Sequence, residues 1–185
     1  ELGDGFIVIW CTFLILFTIA IFGPQKKISA VLQSMISGDN YKIQDNYIVA
    51  TIKWFSILVI ISGAIIGIQE FIGIYVEQPE APNQLIQFFD ISFAPIIEEF
   101  GFRVMLIGLP LFMLYSHKSS FKFLVKSLWM PWQNLHNVNM KKALMLIVIV
   151  GVFFGVAHIF SDEAWNSGKL AQAVTSGIII GWVYF

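Results

Sequence analysis

The chain has 185 residues, of which 57% are hydrophobic and only 12% are charged, and its formal net charge at pH 7 is −1. Soluble domains carry roughly 25% charged residues, so this composition predicts a membrane protein and argues against a soluble globular domain. The lysines are scattered between apolar segments, which argues against a nucleic-acid-binding surface. The single cysteine, Cys11, lies in an apolar run and cannot form an internal disulfide.

The apolar segments predict an all-α protein, a polytopic bundle of at least five membrane-spanning helices in one domain. About 20 apolar residues are needed to cross a bilayer. The predicted spans are residues 6–22, 47–76, 95–115, 143–160 and 170–185, and residues 28–46 are expected to form a loop with one interfacial helix. Because Glu1 is not an initiator methionine and Phe185 lies inside an apolar run, we expect the chain to be truncated at both ends.

Prolines predict the limits of the third span. Pro95 suits the first turn of a helix, where its missing N–H costs nothing, so residues 85–93 are expected to form a separate short segment. Pro110 is expected to kink or end the same helix on its far side.

The charged residues between the spans predict an orientation. Loops 24–46 and 116–142 are basic, whereas residues 1–5, 77–84 and 161–169 are mainly acidic. Because basic loops stay on the cytoplasmic side, we expect an outside N-terminus. This orientation places the charged groups of the third and fourth spans in the outer half of the membrane.

The third span carries the motif Glu98-Glu99-Phe100-Gly101-Phe102-Arg103. Ionisable side chains cost a few kcal/mol each inside a bilayer, so they are rare there without a function. On an α-helix Glu99 and Arg103 share one face and favour an ion pair, whereas Glu98 points about 100° away. We therefore expect Arg103 to hold Glu99 and Glu98 to remain available as a general base.

The fourth span carries the motif Phe154-Gly155-Val156-Ala157-His158, at a depth that matches the start of the first motif. His158 is thus the natural partner of Glu98, and the two side chains could hold a water that attacks a carbonyl carbon. Phe154, one turn before His158, is expected to pack on the same face and keep the site dry. Gly101, Gly108, Gly151 and Gly155 are expected to let the helices approach closely.

The two motifs in this order, each in an apolar span, resemble those of the CAAX prenyl protease 2 and bacteriocin-processing (CPBP, Abi) family of intramembrane proteases. The resemblance covers about residues 90–185, and the closing Gly181–Phe185 segment resembles the family's approach to its last motif. That last motif, a His followed four residues later by Asn or Asp, is expected beyond Phe185.

The resemblance implies an intramembrane endopeptidase of the CAAX-protease type, acting on a membrane-associated or lipidated substrate. It implies Glu98 as the water-activating base, His158 as its partner, and Glu99 with Arg103 as a supporting pair. No cofactor is expected, because one histidine and two glutamates lack three well-spaced zinc ligands. A divalent metal such as zinc remains an alternative, with Glu98 and His158 as its ligands.

The expected partners are membrane lipids and a membrane-associated peptide or protein substrate, with further membrane subunits left open and no nucleic acid. The expected location is the plasma membrane of a prokaryote, as a multi-pass protein. Two other functions stay open at this point. One is a non-catalytic membrane subunit or immunity-type protein that retains the charges to lock its helices. The other is a proton-coupled transporter, although no internal repeat supports it.

Overall fold

The computed structural model describes residues 2–22, 28–38, 46–77, 83–160 and 165–185. Within these ranges every regular element is helical and no strand occurs, which confirms the all-α prediction. Residues 24–27 and 39–45 of the predicted loop 24–46, most of the acidic segment 77–84, and residues 161–164 of the acidic segment 161–169 lie outside the described residues.

Contacts between Cα atoms divide the chain into two compact units, Glu1–Ile60 and Ile61–Phe185. The first unit contains α1 (Leu2–Phe22), α2 (Ile28–Ser37) and the beginning of α3 (Tyr47–Phe71). Helix α3 begins at its predicted residue because the side-chain carbonyl of Asn46 accepts the N–H of Ile48, at 2.9 Å. The prediction of one membrane domain stays a prediction.

The second unit begins with the end of α3, which the sequence analysis extended to residue 76. The helix ends at Phe71 because Gly73 adopts a φ of 81°, a conformation that glycine takes without strain. The N–H of Ile74 then bonds the carbonyl of Gln69, at 2.8 Å. The other elements are α4 (Gln84–Glu98), a π-helix (Glu99–Gly108), α5 (Leu109–Tyr115), α6 (Phe121–Trp129), α7 (Pro131–Asn134), α8 (Met140–Phe160) and α9 (Lys169–Tyr184).

The helix of the first motif starts earlier than Pro95, so the prediction that Pro95 opens it is wrong. Asn83 caps α4, and its side-chain oxygen accepts the N–H of Ile86 at 2.9 Å. This cap starts the helix well before the proline, which lies in the helix interior. Pro110 does not end the helix either, because it lies in the first turn of α5, which continues to Tyr115.

Helices α8 and α9 form the closest helix pair of the second unit, and small residues explain their approach. A Cβ atom on Gly151 would lie 2.9 Å from the backbone nitrogen of Ile178, and one on Gly155 would lie 2.9 Å from that of Val174. Gly101, by contrast, has no atom of the described residues within 4 Å of such a Cβ, so it makes no close helix contact with them. The close approach places the start of α9 beside the end of α8.

The buried core of the second unit lies where α8 meets the π-helix and α5. It is formed by Ile107, Leu111, Leu135, Ala143, Ile147 and Val150. The far end of α9 is fixed to the helices that follow α5, because the Tyr184 hydroxyl donates to the carbonyl of Leu128 at 2.6 Å.

Among the described residues, two helices are long and apolar enough to cross a membrane, α3 and α8, with mean hydropathies of 2.1 and 2.7. Residues 6–22, 95–115 and 170–185 also lie almost entirely in helices, but these helices do not meet the same criteria. In α1 the qualifying apolar stretch is only Gly3–Ile19, and α9 has only 16 residues. The prediction of five spans is therefore not confirmed.

Candidate active site

The first motif lies where the helix changes its hydrogen-bond pattern. Glu98 is the last residue of α4, and Glu99 is the first residue of the π-helix. The wider pattern persists to the end of the segment, where Leu109 donates its N–H to the carbonyl of Val104, five residues earlier. Such segments are rare and often occur at functional sites.

Arg103 projects from this π-helix into the interior and is only 1% exposed. Its Nε lies 3.5 Å from the Oε1 of Glu99, and its guanidinium carbon lies 4.5 Å from the centroid of the Phe154 ring. Within the described residues none of its three nitrogens has a hydrogen-bond acceptor. A buried charge with so few contacts depends strongly on each of them.

The second motif brings its histidine to the first. In α8 the Nδ1 of His158 lies 2.9 Å from the carbonyl oxygen of Phe154. Because a carbonyl oxygen can only accept, this hydrogen bond requires the proton on Nδ1 and leaves Nε2 as an acceptor in the neutral ring. Nε2 lies 3.7 Å from the Oε1 of Glu98, and the two side chains are 18% and 33% exposed.

Phe154 lies between the charged groups of the two motifs. Its ring is perpendicular to that of Phe102, with centroids 4.9 Å apart, and its centroid lies 4.5 Å from that of His158. Together with the Arg103 guanidinium on the same ring, these contacts leave Phe154 only 6% exposed. The structure therefore places all five predicted site residues, Glu98, Glu99, Arg103, Phe154 and His158, in one region.

The described residues of the two motifs offer too few donors for a metal site. Among the described residues no group of three or more His, Cys, Asp or Glu side chains could hold an ion. Glu98 and His158 supply two donors, whereas a catalytic zinc site uses three protein ligands. We therefore derive no step through a metal, and metal independence stays a prediction.

The sequence pattern does not predict one cation at this site, Lys169. The pattern places residues 161–169 in a mainly acidic outer loop, but Lys169 is the first residue of α9 and is half-buried. The charges of Lys169 and Glu98 attract one another. One signal could have indicated this role of Lys169. It is a lysine that begins an apolar helix a few residues after the second motif.

The two other histidines lie apart from this site. His117 and His136 stack with ring centroids 4.4 Å apart, in segments that the sequence analysis assigned to the basic loop. The pKa of His117 lies below its ordinary value, first through desolvation and then through the neighbouring His136 and Lys118.

A comparison with known proteins identifies the family of this chain. A family model described as Rce1-like, type II CAAX prenyl endopeptidase Rce1-like, matches residues 83–185. This match begins at the residue that caps α4 and covers both motifs and α9, which together are more than half of the chain. No curated protein and no solved structure shows significant similarity to the chain. The chain therefore belongs to the family of type II CAAX prenyl endopeptidases of the Rce1-like type.

Proposed function

We propose that this protein is an intramembrane peptidase in which Glu98 activates the water that hydrolyses a peptide bond. The observation that carries the proposal is the 3.7 Å separation between the Oε1 of Glu98 and the Nε2 of His158. It joins two motifs that lie far apart in the sequence, and both atoms can accept a hydrogen bond from the same water.

The nucleophile forms in one proton transfer. A water beside the pair donates one hydrogen to Glu98 and the other to Nε2, so that its oxygen lone pair is directed away from both. As the oxygen attacks the carbonyl carbon of the peptide, its proton passes to Glu98. His158 keeps its orientation through the Nδ1–H bond to the carbonyl of Phe154.

The same carboxyl group completes the reaction. Protonated Glu98 gives its proton to the nitrogen of the departing amine, and the C–N bond of the tetrahedral intermediate breaks. The products are a carboxylic acid and an amine, and Glu98 returns to its ionised form. Arg103 supports the site indirectly, because it holds Glu99 beside Glu98 and packs on Phe154.

The family description supports the substrate class. A CAAX prenyl endopeptidase acts near the C-terminus of an isoprenylated protein, so we propose a membrane-associated, lipidated peptide as the substrate. The apolar surfaces around the motif suit such a substrate, since Phe100 and Ile97 are well exposed.

The test is hydrolysis of an isoprenylated CAAX peptide by the full-length protein. Glu98→Gln keeps the shape of the side chain but removes its basicity, so we expect the rate to fall by about 100-fold or more. Glu70→Gln, on the exposed surface of α3, is the matched control and should retain the wild-type rate. Full activity of Glu98→Gln would overturn the proposal and would favour the non-catalytic membrane subunit.

A further inference from the structure

Trp165, at the start of the described residues after the second motif, lies against the end of α8. The backbone N–H of Trp165 donates to the carbonyl of His158, at 3.1 Å. This bond satisfies one of the carbonyls at the end of α8 and holds the backbone of Trp165 beside His158.

The end of α3 fixes the same segment from the other side. The amide nitrogen of Gln69 donates to the carbonyl of Gly168 at 2.7 Å, and that of Asn166 donates to the carbonyl of Tyr75 at 2.8 Å. A Cβ on Gly168 would lie 2.6 Å from the Tyr75 oxygen, so the two backbones are in close contact. The position of the next residue, Lys169, is thus determined by the fold.

Lys169 presents its ammonium group in this fixed position. The Nζ lies 4.1 Å from the centroid of the Trp165 ring, a contact that orients the long side chain. The charge of Lys169 also attracts Glu98. Among the described residues of this site, Arg103 pairs with Glu99 and His158 pairs with Glu98, and neither pair includes Lys169.

A half-buried ammonium in this position favours an anion on the substrate. It has already lost part of its hydration, and among the described residues its three N–H donors have no hydrogen-bond acceptor. Arg103, the other permanent cation of the site, is only 1% exposed and cannot reach a bound peptide. Every peptide carries an anion at one end, its C-terminal carboxylate.

We propose that Lys169 binds the C-terminal carboxylate of the substrate peptide, an assignment that rests on the function proposed above. Because Val174 packs on Gly155, the start of α9 at Lys169 lies level with the end of α8 that carries His158. An extended peptide advances about 3.5 Å per residue, so a carboxylate at Lys169 would lie only a few residues beyond the bond at Glu98. Lys169 is then a specificity-determining residue that selects for bonds close to a free C-terminus.

A different role for the same lysine makes a different kinetic prediction. If Lys169 acted only on Glu98, its loss would slow every substrate to the same extent. A carboxylate-binding Lys169 instead raises KM for peptides that end in a free acid and leaves peptides that end in an amide unchanged. A comparison of substrates that end in a free acid with substrates that end in an amide therefore distinguishes the two roles of Lys169.

The experiment compares two isoprenylated peptides that differ only in a free-acid or amide C-terminus, each hydrolysed by the full-length protein. We expect the wild-type kcat/KM to favour the acid by about 10- to 100-fold, since a hydrogen bond to a charged group is worth about 1.5–3 kcal/mol. Lys169→Met keeps the apolar stem of the side chain and should abolish this preference, because KM for the free-acid peptide rises. Lys169→Arg keeps the charge and should retain most of it.

Lys122→Ala, in the basic segment of α6, is the matched control and should leave the preference unchanged. Equal rates for the acid and the amide in the wild-type protein would overturn the proposal without any variant. A preference that survives in Lys169→Met would also overturn it. Failure of the proposed function would give a different result, namely hydrolysis of the peptide by the Glu98→Gln variant.

Discussion

At the residue scale, Phe154 connects the chemistry of the two motifs. The guanidinium of Arg103 lies over the ring, and the imidazole of His158 packs against the ring at a steep angle. Its backbone carbonyl also sets the proton position on that imidazole. We therefore predict that the phenylalanine of the second motif is required for its ring, and not only for its hydrophobic volume.

Phe154→Leu tests this requirement. Leucine fills much of the same volume but provides no π-electrons for Arg103, so we expect a loss of about 1–2 kcal/mol in unfolding free energy. For a chain of this length such a loss lowers the melting temperature by several degrees. Thermal unfolding of the purified full-length protein in detergent measures it.

The neighbouring Phe153→Leu is the matched control for this substitution. Phe153 is 56% exposed and lies on the same helix, so its replacement should change the melting temperature little. Equal melting temperatures for the two variants would show that the contact between Phe154 and Arg103 does not stabilise the protein.

The sequence predicted most residues of this site but not Lys169. Glu98 and His158 could be paired from the sequence because each is an ionisable group inside an apolar segment, at matching depth. Lys169 could not be found in this way, since lysines at the ends of apolar helices are ordinary. Its position depends on the contacts of residues 165–168 with α3, which no local pattern encodes.

At the element scale, the helix of the first motif shows where local patterns are insufficient. The proline rule placed its start at Pro95, but the Asn83 cap starts it earlier and the helix accommodates the proline. The π-helix Glu99–Gly108 could not be predicted either. Its composition is that of an apolar α-helix, and a π-helix differs from an α-helix only in the carbonyl to which each N–H donates.

The pair α8 and α9 depends on glycines in both helices. Gly155→Ala would push a Cβ into the side chain of Val174 and toward its backbone nitrogen. Because backbone cannot move aside as a side-chain tip can, α9 must shift, and we expect a loss of about 1–3 kcal/mol in unfolding free energy. The shift also moves Lys169, so the preference for free-acid peptides should weaken.

Thermal unfolding and the comparison of acid with amide peptides measure these two effects. Gly67→Ala in α3 is the control, since a Cβ there meets no atom within 4 Å and its stability should be unchanged or slightly higher. The double variant with Val174→Ala removes the side-chain overlap and should recover part of the loss. A Gly155→Ala protein as stable as the wild type would show that the two helices are not tightly packed.

At the scale of the whole molecule, α8 is the element from which the orientation of the site can be determined. It has 21 residues and spans about 30 Å, which matches the apolar thickness of a bilayer. Residues 116–142, which include the first three residues of α8, contain five lysines and no acid, whereas the site lies at the opposite end of the helix. A helix that crosses the membrane must place these two ends on opposite sides.

Cysteine labelling in intact cells tests this arrangement, starting from a Cys11→Ser background. Lys122→Cys reports on the basic segment, and Ser167→Cys reports on the end of α8 at which the site lies. Both positions are exposed. Because lysine-rich loops remain cytoplasmic, we expect an impermeant maleimide to label position 167 in intact cells and position 122 only after permeabilisation. The opposite result would reverse the orientation and open the site to the cytoplasm. Labelling of both positions from one side would show that α8 does not cross, and the membrane depth assigned to Glu98 and His158 would then be wrong.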